Sequence, residues 1–164
     1  MSSQTQAKTM VKSTKFLVCV DGREESKIAL RLACMKANAR GSRVCMLHVI
    51  QPADFQTLGA IADRMREERK AEGNQLLSTL AEEAFATYGI RPDMVLREGS
   101  TGDEIIAAAF EDPDVNMIAL GVAQHTAGRG KLTAWLASQL GSKLYVPLLM
   151  VPGNLTDQQL QSIV

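Results

Sequence analysis

The sequence predicts an α/β fold in which a parallel sheet is covered by helices on both faces. Five short apolar runs alternate along the chain with segments whose apolar residues recur at helical spacing. Strands that alternate with helices pair in parallel, through right-handed crossovers. The length of 164 residues suits one domain, and an apolar content of 46% is enough for a core.

The first half of the chain supplies two strands and the first helices. Lys15–Val20 is a continuous apolar run, typical of a strand covered on both faces, and Asp21 after it is interpreted as a helix cap. A helix is predicted over Glu25–Arg40 and a second buried strand over Arg43–Ile50. A long charged stretch then passes into helical spacing that stops at Gly89, which predicts one long helix or a broken pair.

The second half begins with a strand of mixed polarity, Asp93–Glu98, which indicates an edge position. Thr101 and Glu104 form a capping-box pattern ahead of the third helix. A fourth strand is predicted over Val115–Leu120, with Gly121 ending it.

A helix over Lys131–Ser142 and a fifth strand over Leu144–Val151 complete the alternation. Pro147 lies inside that last strand, and proline cannot donate to a ladder, so the strand is predicted at an edge. Thr156 and Gln159 form a second capping-box pattern, which predicts a short C-terminal helix.

Composition narrows the class of protein. Lys plus Arg and Asp plus Glu both total 18, and this balance argues against a general nucleic-acid or membrane-surface binder. The three cysteines have no metal-ligand spacing and are interpreted as buried thiols of a reducing compartment. The polar start has no signal-peptide core and no segment reaches the length of a membrane span, so a cytoplasmic location is expected.

Three segments together resemble the universal stress protein family: Phe16–Gly22, Leu47–Ile50, and Ile118–Gly121 with the later run Tyr145–Pro152. The resemblance covers about residues 15 to 152. It implies an open, Rossmann-like five-stranded parallel sheet of order 3-2-1-4-5 and a homodimer. The domain is accordingly placed at 15–153, after a disordered arm over 1–14 and before a tail with a short helix over 154–164.

Many members of this family bind ATP at the point where the winding of the sheet reverses. The resemblance implies that an Asp at the end of the first strand contacts adenine or ribose, and that a glycine-rich loop holds phosphates through backbone N–H groups. Carried onto this sequence, the candidate nucleotide-binding residues are Val20, Asp21, Val49, Leu120, Gly121, Gly128 and Gly130.

The last-loop pattern of the ATP-binding members is Gly-x-x-Gly-x9-Gly-[Ser/Thr], and this sequence departs from it. Gly121 matches the first glycine, but Gln124 and Ala134 replace the second and third, and Trp135 replaces the hydroxyl. Gly141-Ser142 is a literal match but lies too late, and it is interpreted as a helix stop. The departure predicts that ordinary ATP binding is lost.

The last strand is also predicted to be the dimer contact, because an exposed apolar edge invites pairing with another chain. The residues expected at this interface are Tyr145, Val146, Leu148, Leu149, Met150 and Val151. Other protein partners are an open alternative, since the charged run Arg64–Lys70 is either a solvated helix face or a partner surface.

The sequence offers no catalytic constellation. Neither His48 nor His125 has a nucleophile or carboxylate at a motif spacing, and no P-loop lysine is present. We therefore expect a non-enzymatic, dimeric stress-response protein without a cofactor or metal. The alternative is an ATP- or AMP-binding sensor that uses Asp21 and the loop from Gly121 to Gly130.

Overall fold

The structure, a computed structural model, describes residues 14–52, 59–123 and 131–164. Its five strands all pair in parallel, in the order β3-β2-β1-β4-β5, which confirms the predicted sheet. The strands are β1 Lys15–Cys19, β2 Arg43–Ile50, β3 Asp93–Glu98, β4 Val115–Val122 and β5 Leu148–Pro152. The edge positions predicted for β3 and β5 are confirmed.

Helices cover both faces of this sheet and define two core clusters. They are α1 Glu24–Arg40, α2 Ala60–Tyr88, α3 Thr101–Glu111, α4 Lys131–Ser138 and α5 Asp157–Ile163. Side chains alternate along β1, so Phe16 and Val18 pack towards α1, α2 and α5, whereas Leu17 packs towards α3 and α4. The central strands are therefore apolar on both sides, as the continuous runs predicted.

Helix α2 is one continuous helix of 29 residues. The sequence left open either one long helix or a broken pair, and the structure has the single long helix. Gly73 lies within it, where glycine costs about 1 kcal/mol relative to alanine. A Cβ at Gly73 would lie 2.8 Å from Cδ1 of Leu96 and 3.1 Å from Cδ2 of His48. The glycine therefore lets the helix approach the strands closely at this turn.

The last helix–strand connection differs from the prediction. Helix α4 ends at Ser138 rather than Ser142, and β5 begins at Leu148 rather than Leu144. The residues between them form turns: Gly141 has φ +81°, and its N–H donates to the Leu144 carbonyl at 2.9 Å. Glycine takes this conformation at little steric cost, so the chain turns there instead of continuing the helix.

Two caps were also predicted wrongly. The residue before α1 is Arg23, and the Asp21 carboxylate accepts from its N–H at 3.0 Å, so Asp21 orders the turn and is not the helix cap itself. Helix α3 starts at Thr101 after Ser100, and neither the Ser100 side chain nor a capping box closes it. The predicted box at Thr156 and Gln159 is present at α5.

Lys15 forms two ion pairs at the amino-terminal end of the central strand β1. Its Nζ lies 2.7 Å from Asp112 Oδ2 and 3.3 Å from Asp93 Oδ2, while the side chain is almost completely buried. The hydrogen bond from Lys15 holds the pKa of Asp112 below its usual range, and the bond to Asp112 raises the pKa of Lys15. This network joins β1 to β3 and to the end of α3.

Candidate functional site

A cleft of about 630 Å³ opens at the carboxyl ends of the strands, between β1 and β4. The chain winds from β1 to β2 and β3 on one side and from β4 to β5 on the other, so this is the point where the winding reverses. The strand ends contribute Cys19, Asp21, Gln51, Leu120, Gly121 and Ala123, and the helix starts contribute Arg23, Glu25, Ser26, Ser100, Thr101, Gly102, Lys131, Leu132, Thr133 and Trp135.

Gly121 brings the end of β4 against the first turn of α1. A Cβ at this position would lie 2.7 Å from the Ser26 nitrogen and still closer to the carbonyl of Glu25. Those obstructing atoms are backbone and cannot swing away. Gly121 therefore lets α1 lie tightly on β4, and it sets the width of the cleft at its base.

Asp21 stands at the mouth of the cleft, directly after β1. One carboxylate oxygen accepts from the Arg23 N–H at 3.0 Å, and the other lies 3.8 Å from Arg23 Nε. The Asp21 N–H donates to Ser26 Oγ at 3.3 Å, and that hydroxyl donates to the Arg23 carbonyl at 2.9 Å. The side chain remains about half exposed, so its oxygens can accept further hydrogen bonds from a ligand.

Trp135 forms the wall of the cleft on the α4 side. Its ring packs on the backbone of Gly102 in the first turn of α3, where a Cβ would lie 2.6 Å from Cε3 and closer still to Cζ3. The residue is 37% exposed, so part of the indole faces open space. The sequence placed Trp135 at the position of the expected hydroxyl, and an aromatic ring lines the cleft from there.

The charges of the described cleft residues balance. Its lining carries the carboxylates Asp21 and Glu25 and the cations Arg23 and Lys131. Arg23 is turned towards Asp21, whereas Lys131 at the start of α4 has no ion-pair partner among the described residues. One positive charge at a helix N-terminus is a modest attraction for an anion.

The thiol of Cys19 lies at the floor of the cleft. Burial, with a smaller contribution from the Asp21 carboxylate, raises the pKa of Cys19 to about 12. The thiolate, which is the nucleophilic form, is therefore scarce at neutral pH. All three cysteines are free, and burial also raises the pKa of Cys34 and of Cys45.

A second hollow of about 440 Å³ adjoins the cleft and shares Asp21 and Gln51 with it. His48 lies in this hollow, and its Nδ1 bonds to the Val20 carbonyl at 2.6 Å. A carbonyl can only accept, so Nδ1 carries the hydrogen. His48 thus ties β2 to the end of β1 beneath Gly73.

The structure brings together four of the residues predicted to bind a nucleotide. Asp21, Leu120 and Gly121 line the cleft, and Val49 lines the adjoining hollow. Val20 is fully buried, and it faces the core rather than the cleft. Gly128, Gly130, Gln124 and His125 lie outside the described residues, and Ala134 is exposed on α4 without lining the cleft.

Sequence reasoning missed the polar wall formed by Gln51, Ser100 and Thr101. Gln51 Nε2 donates to Thr101 Oγ1 at 3.1 Å across the mouth of the cleft. The signal was available, because each of these residues follows the carboxyl end of a predicted strand. Spacing along the chain did not show that the end of β2 lies beside the start of α3.

The residues predicted at a dimer contact differ in exposure. Tyr145 is 78% exposed in the turn before β5, and Met150 is 54% exposed on β5 itself, the edge strand of the sheet. Val151 is buried in the core, so its side chain is not available to a partner, and this correction follows from the alternation of faces along β5. Val146, Leu148 and Leu149 are partly buried against the two cores.

Within the described residues, no group of three or more His, Cys, Asp or Glu side chains is arranged to hold a metal ion. In the same parts of the chain, none of the helices has the length and apolar character needed to cross a membrane.

The fold and the position of the cleft define a doubly wound α/β protein with a cleft at the switch point of its sheet. The family model of the universal stress proteins matches residues 12–152, and the chain belongs to this family. Among curated proteins, none matches the sequence significantly.

Solved structures share the fold at low sequence identity. A universal stress protein from Lactobacillus plantarum aligns with a TM-score of 0.73 at 16% identity, over 85% of this chain and 98% of that one. A family member from Arabidopsis thaliana with AMP bound aligns with a TM-score of 0.61 at 19% identity, over 85% and 91%. One from Archaeoglobus fulgidus in complex with dAMP gives 0.63 at 20%, over 85% and 98%.

Proposed function

We propose that this chain is a non-enzymatic stress-response protein that acts as a homodimer and does not bind ATP in the usual manner of its family. The observation that carries the proposal is the position of Trp135. It lines the cleft from the second turn of α4, and its ring is packed on Gly102. In the sequence it occupies the position at which the family resemblance places the phosphate-binding hydroxyl.

The chemistry of the lining supports a role without catalysis. Cys19 is held as a thiol at neutral pH, and its raised pKa makes it a poor nucleophile. The ring Nδ1 of His48 is engaged by the Val20 carbonyl. No placed base and nucleophile pair is found among the described residues of the cleft.

Calorimetric titration with ATP tests the nucleotide part of this proposal. Mass analysis of the freshly purified protein for carried-over nucleotide is the companion measurement. We expect no carried-over ATP and no binding at micromolar concentration. Micromolar ATP binding would overturn the proposal.

The dimer is proposed through the edge strand β5. Exposed apolar side chains at an unpaired strand edge favour association with another chain. Met150 on β5 is exposed, and Tyr145 in the turn before it adds an exposed aromatic ring. Light scattering at micromolar protein concentration tests this part, and a monomeric mass would contradict it.

A second candidate function is a nucleotide sensor. It is favoured by the retained cleft of about 630 Å³, with Asp21 at its mouth and Lys131 at the start of α4. Relatives of the same fold have been solved with AMP or dAMP bound. Titration with AMP next to ATP separates this candidate from the first, because only a sensor would bind either nucleotide at micromolar concentration.

A further inference from the structure

We propose that Trp135 determines the ligand specificity of the cleft, by offering an aromatic wall to a planar ring that carries hydrogen-bonding groups but no chain of phosphates. A nucleoside is the simplest probe of this chemical class. The inference rests on the proposed function, since it names the kind of ligand suited to a cleft that is not furnished for a triphosphate.

The indole is held in place by backbone rather than by flexible side chains. A Cβ at Gly102 would lie 2.6 Å from Cε3 of Trp135, so only a glycine in the first turn of α3 allows this contact. The ring is thereby positioned before any ligand arrives. A preorganised aromatic surface loses little conformational entropy on binding.

Part of that surface is open to the cleft. Trp135 keeps 37% of its surface exposed although one edge of its ring is packed on α3. Leu120, Leu132 and Ala123 also line the cleft and add apolar surface to it. An aromatic group prefers such a wall, because stacking adds to the burial of its faces.

Other residues of the lining provide hydrogen-bonding groups. The Asp21 carboxylate is half exposed and has capacity beyond its bond to the Arg23 N–H. Ser100, Thr101 and Gln51 add hydroxyl and amide groups around the mouth. A ligand that stacks on Trp135 can therefore place hydroxyl or amino groups against this polar rim.

Charge and size both favour a compact, neutral ligand. Among the described residues, the lining holds two carboxylates and two cations, so these side chains together provide no net positive charge to offset the roughly four negative charges of a triphosphate. The volume of about 630 Å³ lies within the usual range for small-molecule sites, roughly 300–1,000 Å³. A nucleoside fits these limits better than ATP.

The test uses the full chain and adenosine as the probe. Trp135 is the single tryptophan of the sequence, so its emission reports directly on this wall of the cleft. We expect saturable quenching of that emission by adenosine, and binding of ATP that is at least about tenfold weaker, as measured by calorimetry.

Variants separate stacking from mere folding. Trp135→Ala should weaken adenosine binding roughly tenfold or more, the usual effect of removing a stacking partner, whereas Trp135→Phe should retain most of it. Both are measured by calorimetry after circular dichroism confirms the fold. Phe110→Ala is the matched control, because Phe110 is 87% exposed and lies outside the cleft.

The outcomes distinguish this inference from the function on which it rests. If neither adenosine nor ATP binds, the inference is overturned and the proposed function stands. If ATP binds at micromolar concentration, the proposed function fails. Adenosine binding that is equally strong in Trp135→Ala would overturn the role of Trp135 and leave the proposed function intact.

Discussion

The six-membered ring of Trp135 lies against the backbone of Gly102, and this contact joins the second turn of α4 to the first turn of α3 beside the cleft. Because Gly102 has no side chain, the backbone of α3 leaves room for the indole ring that α4 provides. The contact holds Trp135 in place as one wall of the cleft.

Replacing the two nonmatching residues of α4 should open the cleft to phosphates. In the double variant Ala134→Gly/Trp135→Ser, a hydroxyl replaces the indole and a glycine precedes it, so backbone N–H groups become approachable. We expect ATP affinity to rise by about tenfold or more, equivalent to at least about 1.4 kcal/mol. Calorimetry measures it, and unchanged affinity would show that other residues of the cleft also prevent binding.

Gly121→Ala should destabilise the protein by about 2–3 kcal/mol, because overpacking against immovable atoms forces the backbone apart. The added Cβ would collide with the Glu25 carbonyl and the Ser26 nitrogen. Urea unfolding followed by circular dichroism measures the change.

Gly73→Ala is the matched control for this substitution. The nearest obstacles there are Cδ1 of Leu96 and a ring carbon of His48, which belong to side chains. The gain of about 1 kcal/mol in helix propensity offsets part of the clash. An equal loss of stability in both variants would contradict the distinction between backbone and side-chain obstacles.

The Lys15–Asp112 pair should make stability depend on acid pH. Because the bond from Lys15 lowers the pKa of Asp112 in the folded state, the stabilisation is present above the unfolded value of about 3.9. It is lost as the pH falls through the still lower folded pKa. Asp112→Asn should therefore cost about 1–2 kcal/mol at pH 7, and this cost should decrease as the pH falls below the unfolded pKa of Asp.

Urea unfolding of both proteins across this pH range checks the difference. The control is Glu68→Gln, which removes a carboxylate from an exposed pair with Arg64 at 4.0 Å. Exposed pairs of this kind contribute little, so its stability should follow that of the wild type at every pH. If the free energies of unfolding of Asp112→Asn and wild type differ by the same amount at every pH, the proposed dependence of stability on the ionisation of Asp112 is wrong.

Met150→Lys should shift the protein from dimer to monomer, since it places a charge on the apolar edge of β5. Met94→Lys is a close control, because Met94 lies on the opposite edge strand β3 and is 52% exposed, against 54% for Met150. Light scattering over a concentration series measures both. If Met150→Lys remains a dimer and Met94→Lys becomes a monomer, the contact is formed by β3 and the proposed contact through β5 is wrong.

The sequence by itself determined the alternation of strands and helices, and with it a parallel sheet covered by helices. Continuous apolar runs such as Lys15–Val20 and helical spacing such as Glu25–Arg40 are local signals. They can be recognised within a short window of sequence, without knowing how the segments pack. The resemblance to the universal stress protein family singled out Asp21, Gly121 and Trp135. The expected strand order came from the family resemblance, and the structure agrees with it.

Only the tertiary structure decided what these residues touch. The contacts of Trp135 with Gly102, of Gly121 with Glu25 and of Lys15 with Asp112 join positions that are 33 to 97 residues apart. The turn at Gly141 likewise shortened α4 and β5, because hydrogen bonds to Gln139 and Leu144 compete with helix and strand there. Contacts between distant segments depend on the packing of helices on the sheet, which spacing along the chain does not specify.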